Sequence, residues 1–134
     1  MRMEVVMAPG GATVVNDAYN ANPTSMEAAL RTVADMPGRS LAVLGQMAEL
    51  GPVTAHEHER IGELAAKLGI EEVITVGPDH GLARAAGGRN VDDAEQALGW
   101  IRERVRDGDV VLVKASRSVG LETVADRLTE EAGA

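Results

Sequence analysis

With 134 residues, no cysteine and a formal net charge of −8, the chain is long enough to bury about two thirds of its unfolded surface in one core, and it excludes disulfides and thiolate metal sites. Lys67 and Lys114 are the only lysines among 13 basic residues, which leaves no clustered basic face for nucleic acid. No apolar run approaches the roughly 20 residues of a bilayer span, and Met1-Arg2-Met3-Glu4 lacks the apolar stretch of a signal peptide, so a soluble cytoplasmic protein with no membrane partner is expected.

In chain order, the apolar pattern predicts β-strands over 3–8 and 12–16. They are separated by Pro9-Gly10-Gly11, the signature of a hairpin. A helix follows over 24–36, carried by Met26, Ala29, Leu30, Val33 and Ala34, with Thr24 or Ser25 as its cap. Leu41-Ala42-Val43-Leu44 gives a strand over 40–45. It alternates nothing, as a strand covered on both faces does not. A helix over 56–68 rests on Ile61, Leu64, Ala65 and Leu68, at the i, i+3, i+4, i+7 spacing of one apolar stripe. A strand over 72–76, a short helix over 79–86 and a brief strand over 89–91 come next. Ala94, Ala97, Leu98 and Ile101 mark a helix over 93–106, Val110-Val111-Leu112-Val113 a strand over 109–114, and Leu121, Val124, Ala125 and Leu128 a last helix over 119–131. With Tyr19 and Trp100 as the only aromatic residues, the core has to be built from small aliphatics and methionine. Apolar strands alternating with amphipathic helices define an α/β domain with a mainly parallel sheet, right-handed crossovers and an antiparallel N-terminal hairpin.

Polar residues gather where strands end, which is where open α/β sheets place ligands. Asn16-Asp17-Ala18-Tyr19-Asn20-Ala21-Asn22-Pro23 lies between a strand and a helix. An Asx-rich turn explains it as readily as a ligand site does, since Asn and Asp bond their own backbone. In the ligand reading, Asp17 accepts ribose hydroxyls, Tyr19 lies against a planar base, and Asn20 and Asn22 pair with amides or carboxylates; Pro23 holds Asn22 away from helical geometry. Leu44-Gly45-Gln46-Met47-Ala48-Glu49-Leu50-Gly51 ends the next parallel strand. Lys114-Ala115-Ser116-Arg117-Ser118 ends a third, with hydroxyls and a guanidinium suited to a carboxylate or phosphate, or a plain serine cap. His56 and His58 are two apart, not the i, i+4 spacing of helical zinc ligands, so no metal site is expected. His80 reads as a turn residue. Neither G-x-x-x-x-G-K-[ST] nor G-x-G-x-x-G occurs, so the chain has no evident means of holding a triphosphate with its magnesium on its own.

Taken together, Arg2-Met3-Glu4, Asn16 to Pro23, Leu44 to Gly51, His58-Glu59-Arg60-Ile61-Gly62 and Lys114 to Ser118 resemble the C-terminal domain of Mur ligases over essentially the whole chain. The resemblance implies a Rossmann-like three-layer α/β/α fold, residues 1–134 forming that single domain, with the N-terminal UDP-substrate domain and the central ATPase domain absent from this sequence. The implied activity is ATP-dependent amide-bond formation in peptidoglycan precursor synthesis. There, the carboxylate of UDP-N-acetylmuramoyl-tripeptide is activated as an acyl phosphate and attacked by the amine of D-alanyl-D-alanine, with ATP and magnesium held mainly by the central domain. The isolated chain is expected to be inactive, with no catalytic residue of its own and with the other domains of the enzyme as its partners. By resemblance, Arg2 reaches the ATP phosphates, Asp17 the ribose, and Tyr19 and Asn20 the nucleotide, while Asn22, Ser116, Arg117 and Ser118 receive the dipeptide. Two residues depart from the family's usual pattern: Gln46 replaces an acid and Ala115 a glycine, so a role needing charge at position 46 is in doubt, and the backbone at 115 must not need φ > 0. A folate- or cyanophycin-type ligase domain, and a stand-alone nucleotide-binding or interaction module, remain the alternatives.

Overall fold

The computed structural model describes residues 4–17, 22–47, 51–114 and 122–130. Six strands form one sheet: β1 (Glu4–Met7), β2 (Thr13–Asp17), β3 (Ser40–Gly45), β4 (Glu72–Val76), β5 (Arg89–Val91) and β6 (Val110–Lys114), in the order β1-β2-β6-β3-β4-β5. β1 and β2 are antiparallel, pairing Val5 with Val15; all other neighbours are parallel. The α-helices among the described residues are α1 (Pro23–Asp35), α2 (Thr54–Lys67), α3 (Gly81–Ala86), α4 (Ala94–Arg102) and α5 (Glu122–Glu130). The predicted mainly parallel sheet with a leading hairpin is therefore what the chain adopts.

Two apolar cores lie on the two faces of the sheet. On one, Val15, Ala42, Leu44, Val73, Val110 and Leu112 meet Met26, Ala29, Leu30 and Val33 of α1, Ile61 and Ala65 of α2 and Leu82 of α3. On the other, Val14, Leu41, Val43, Ile74, Val111 and Val113 meet Ala97, Leu98 and Ile101 of α4 and Val124, Ala125 and Leu128 of α5. Successive strand residues thus feed opposite cores, so β3 and β6 are apolar throughout. The helical stripes read from the sequence are the faces that are buried; Leu121 falls outside the described residues.

Element ends differ from expectation in two instructive places. α1 starts one residue early because Asn22, not Thr24 or Ser25, is its cap. Asn22 Oδ1 accepts from the Ser25 backbone N–H at 2.9 Å, and Ser25 Oγ accepts from the Asn22 N–H at 3.2 Å. Asn22 is extended (φ −131°, ψ 168°) and Pro23 occupies the first turn, where its missing N–H costs nothing; α1 ends at Met36 ahead of Pro37, again extended. α4, expected to reach residue 106, stops at Arg102. There Arg39 crosses from the approach to β3, its Nη2 donating to the Arg104 carbonyl at 2.6 Å and to Asp109 Oδ2 at 2.8 Å. Arg104 stacks on Trp100, 3.9 Å from the ring centroid. These side-chain partners take over the orphan end of the helix.

One glycine has a packing reason. Gly62 lets α2 approach α3 so closely that an added Cβ would sit 2.3 Å from the Leu82 carbonyl oxygen.

The sheet also carries an exposed feature: β1 is accessible along its length, Val5 being 59% and Met7 63% exposed, and among the described residues only β2 pairs with it. None of the described helices is long and apolar enough to cross a membrane.

The Arg39–Asp109 pair makes a prediction about acid. Burial pushes the Asp109 carboxyl up, but hydrogen bonds from Arg39 and from the Arg106 backbone outweigh it and hold the group below its ordinary value. A carboxyl lowered in the folded state contributes stability that is complete above its unfolded value of about 3.9 and is lost as pH falls through the folded value. Urea unfolding at pH 7 and pH 3 should therefore show Asp109→Asn losing less stability on acidification than the native chain; equal losses would remove this pair from the acid limb.

Candidate functional site

β6, the last strand made, lies between β2 and β3. The helices following β2 and β3 pack on one face and the helix following β6 on the other. At the C-terminal ends of β2, β6 and β3 the chain therefore diverges to opposite sides of the sheet, the arrangement that opens a ligand crevice in α/β folds. Two of the three polar segments singled out in the sequence begin at β2 and β6, and the third at β3.

Asp17 and Lys114 are the final residues of β2 and β6 and stand directly opposite in register. Lys114 Nζ donates to Asp17 Oδ2 at 2.8 Å, and each side chain is 1% exposed. Both follow the alternation of Val15 and Leu112 and so face the α1 side of the sheet. Asp17 is thus a buried carboxylate with one oxygen engaged by a buried ammonium. Next to it, Asn16 projects to the other side, and its Oδ1 is buried with no hydrogen-bond partner among the described residues. Asn22 is brought to the same end of the sheet as the cap of α1, its Oδ1 committed to Ser25. Arg2, Tyr19, Asn20, Ala115, Ser116, Arg117 and Ser118 lie outside the described residues.

The end of β3 is fastened by a second set of contacts. Gln46 Nε2 donates to the Asp79 carbonyl at 2.9 Å, while its Oε1 accepts from the Asp79 N–H at 3.2 Å. A side-chain amide can both give and take a hydrogen bond; a carboxylate only takes. The departure at position 46 is therefore filled by a neutral clamp on the β4–α3 loop, with no call for charge. Gly77 makes room for it: its φ is +130°, and a Cβ there would meet Gln46 Cγ at 2.3 Å. Asp79 in turn accepts from the Gly81 N–H at 2.8 Å, opening α3.

His58, buried on α2, completes the network. The Met47 N–H donates to its Nε2 at 3.0 Å, so Nε2 is the acceptor and Nδ1 carries the proton, given to the Thr54 carbonyl at 2.8 Å. Asp79 Oδ2 lies 3.5 Å from the same nitrogen. His58 is thus a strut between α2 and the β3 loop. His56, with 78% of its side chain exposed, is not part of it, and His80 precedes α3 without capping it. Among the described residues no group of three His, Cys, Asp or Glu gathers as a metal site would require. Sequence reading missed Lys114 as a partner for Asp17 and His58 as a strut. A lysine ending an otherwise apolar strand was the available signal for the first; nothing local pointed to the second.

The sheet between two helical layers, with polar residues at its switch point, defines a three-layer α/β domain. Comparison with known proteins sharpens this: residues 1–117 match the family model described as "Mur ligase, glutamate ligase domain", and the chain belongs to that family. It is 41% identical over 160 aligned positions to the UDP-N-acetylmuramoyl-tripeptide–D-alanyl-D-alanine ligase of Mycobacterium tuberculosis (strain H37Rv), an alignment covering 97% of this chain and 31% of the relative. The ligase of the same name from Escherichia coli (strain K12) is 37% identical over 121 positions, covering 87% of this chain and 27% of the relative. Among solved structures, MurF ligase from Thermotoga maritima in complex with ADP superposes with a TM-score of 0.85 at 31% identity, over 97% of this chain and 30% of that one. The chain spans about a third of the length of the relatives it matches.

The clamp at position 46 is testable by itself. Gln46→Glu removes the donor and sets a carboxylate against the Asp79 carbonyl, and should lower stability by about 1–3 kcal/mol in urea unfolding at pH 7. Unchanged stability would show that the clamp carries no weight.

Proposed function

We propose that this chain is the C-terminal domain of an ATP-dependent ligase that joins D-alanyl-D-alanine to UDP-N-acetylmuramoyl-tripeptide in the cytoplasm, working with two further domains outside the sequence. The observation that carries the proposal is the match at 41% identity across 97% of the chain to ligases of that name. The polar switch point supports it. The buried Asn16 Oδ1, without a donor among the described residues, is an acceptor that a ligand hydroxyl would satisfy, and this suits a nucleoside better than an apolar ligand.

In this reading, Asp17 meets the ribose through Oδ1, since Oδ2 is held by Lys114. Asn22 contributes its Nδ2, its Oδ1 being engaged by Ser25. Tyr19 and Asn20 lie on the adenosine side and Arg2 on the phosphates; Ser116, Arg117 and Ser118 receive the dipeptide, Arg117 pairing with its carboxylate. ATP, when bound with magnesium by the central domain, supplies the phosphoryl group that activates the tripeptide carboxylate as an acyl phosphate. This domain's share is to orient the nucleotide and the attacking amine, and positioning of that kind is worth several powers of ten in rate.

A hybrid in which this chain replaces the corresponding third of the Mycobacterium tuberculosis relative should release phosphate only when both UDP-N-acetylmuramoyl-tripeptide and D-alanyl-D-alanine are present, whereas the chain alone should not turn over. ATP hydrolysis by the chain alone would count against the proposal. So would a hybrid that ignores the dipeptide and accepts glutamate or another amino acid instead.

A further inference from the structure

A buried ion pair needs a reason. Burying two charges costs several kcal/mol of hydration even when they meet, and apolar residues of similar volume are often as stabilising or more so. The side chains on the same face of the sheet around Asp17 and Lys114 include Val15, Leu112 and Leu44, each fully buried and apolar, so an apolar pair would fit the local chemistry. The charges instead stand at the final register position of β2 and β6. The next described helices after β2 and β6, α1 and α5, pack on opposite faces of the sheet.

We propose that Lys114 is a positioning residue: through its 2.8 Å contact with Asp17 Oδ2 it fixes the rotamer of that carboxylate and ties the ends of β2 and β6 into one base. Lys114 acts through Asp17 and is not itself assigned a contact with ligand. The Arg39–Asp109 pair at the other end of the sheet, where Arg39 is a quarter exposed, faces no such crevice. The part of the proposal that concerns nucleotide rests on the ligase reading above; the part that concerns the Asp17 rotamer does not.

Two arms test it. In the 134-residue chain, Lys114→Gln and Lys114→Met are compared with the native protein by NMR scalar couplings that report the Asp17 side-chain rotamer. One rotamer is expected in the native chain and averaged couplings in either variant; Lys114→Gln, which keeps a donor, covers the case in which Lys114→Met does not fold. In the hybrid ligase, Lys114→Gln should raise KM for ATP several-fold, the scale of a charge-assisted hydrogen bond exchanged for a weaker neutral one, while kcat and KM for D-alanyl-D-alanine stay near native. The exchanged pair Asp17→Lys with Lys114→Asp separates position from stability: it restores an ion pair and should recover the melting temperature without recovering KM for ATP.

A single Asp17 rotamer in the Lys114 variants overturns the proposal. So does an exchanged pair that restores KM together with Tm, since the pair would then be only a structural pin. A rotamer that averages while KM for ATP holds overturns it as well. If the hybrid with the native chain is inactive, the ligase reading is what fails, and the Asp17 couplings alone decide for or against Lys114.

Discussion

The position of β6 is the constraint on which the rest depends. A strand made near the end of the chain occupies the middle of the sheet, between β2 and β3, and both neighbours address it with charge. Asp109, just before the strand, is held by Arg39 from the approach to β3, and Lys114, its last residue, holds Asp17 from the end of β2. Between these two pairs every side chain is apolar and buried. Apolar strands are weakly specified along their length, because one valine substitutes well for the next. A slip of one residue, however, would turn Lys114 toward the opposite core and leave Asp17 buried without a partner. The ionic ends therefore fix what the apolar middle leaves open, and the register in turn decides which side chains reach the crevice.

The crevice is supported asymmetrically. Beneath the ends of β2 and β6 lies the Asp17–Lys114 ion pair, while the end of β3 is fastened by neutral hydrogen bonds from Gln46 and His58 to backbone groups. Neutral contacts of this kind are screened little by salt, and they tie the loops after β3 and β4 and the starts of two helices together. The segment from His58 to Gly62 that helped reveal the family thereby acquires physical content. His58 is a strut to the β3 loop, Gly62 permits the close crossing of α2 and α3, and Arg60 joins Glu27 of α1 to Glu57 on the outside.

Much of the fold was legible because its signals are local. Unalternating runs such as Leu41 to Leu44 announce strands covered on both faces, the spacing of Ile61, Leu64, Ala65 and Leu68 announces a helix, and Pro9-Gly10-Gly11 announces the hairpin. The cap of α1 was misread by two or three residues because Asn22, Thr24 and Ser25 all carry capping chemistry; Pro23 fits only the first turn, and it decides for Asn22. The end of α4 was misread because what stops it, Arg39, is distant in sequence. The same holds at the site. Asp17 was visible as a strand-end carboxylate, but its pairing with Lys114, 97 positions away, depends on strand order, and no local pattern carries strand order. Gln46 looked like the loss of a charge until the Asp79 backbone gave its amide two partners.

The accessible edge of β1 has a consequence for handling this chain. Among the described residues nothing pairs with its outer side, and its Val5, Val6 and Met7 are all exposed; such an edge is a template onto which another extended segment can add. Pro, lysine and inward-pointing charge, the usual means of blunting an edge, are missing from Glu4 to Met7; Glu4 alone contributes a charge. The net charge of −8 carried by the chain opposes the approach of two such edges, and salt screens a repulsion of that kind.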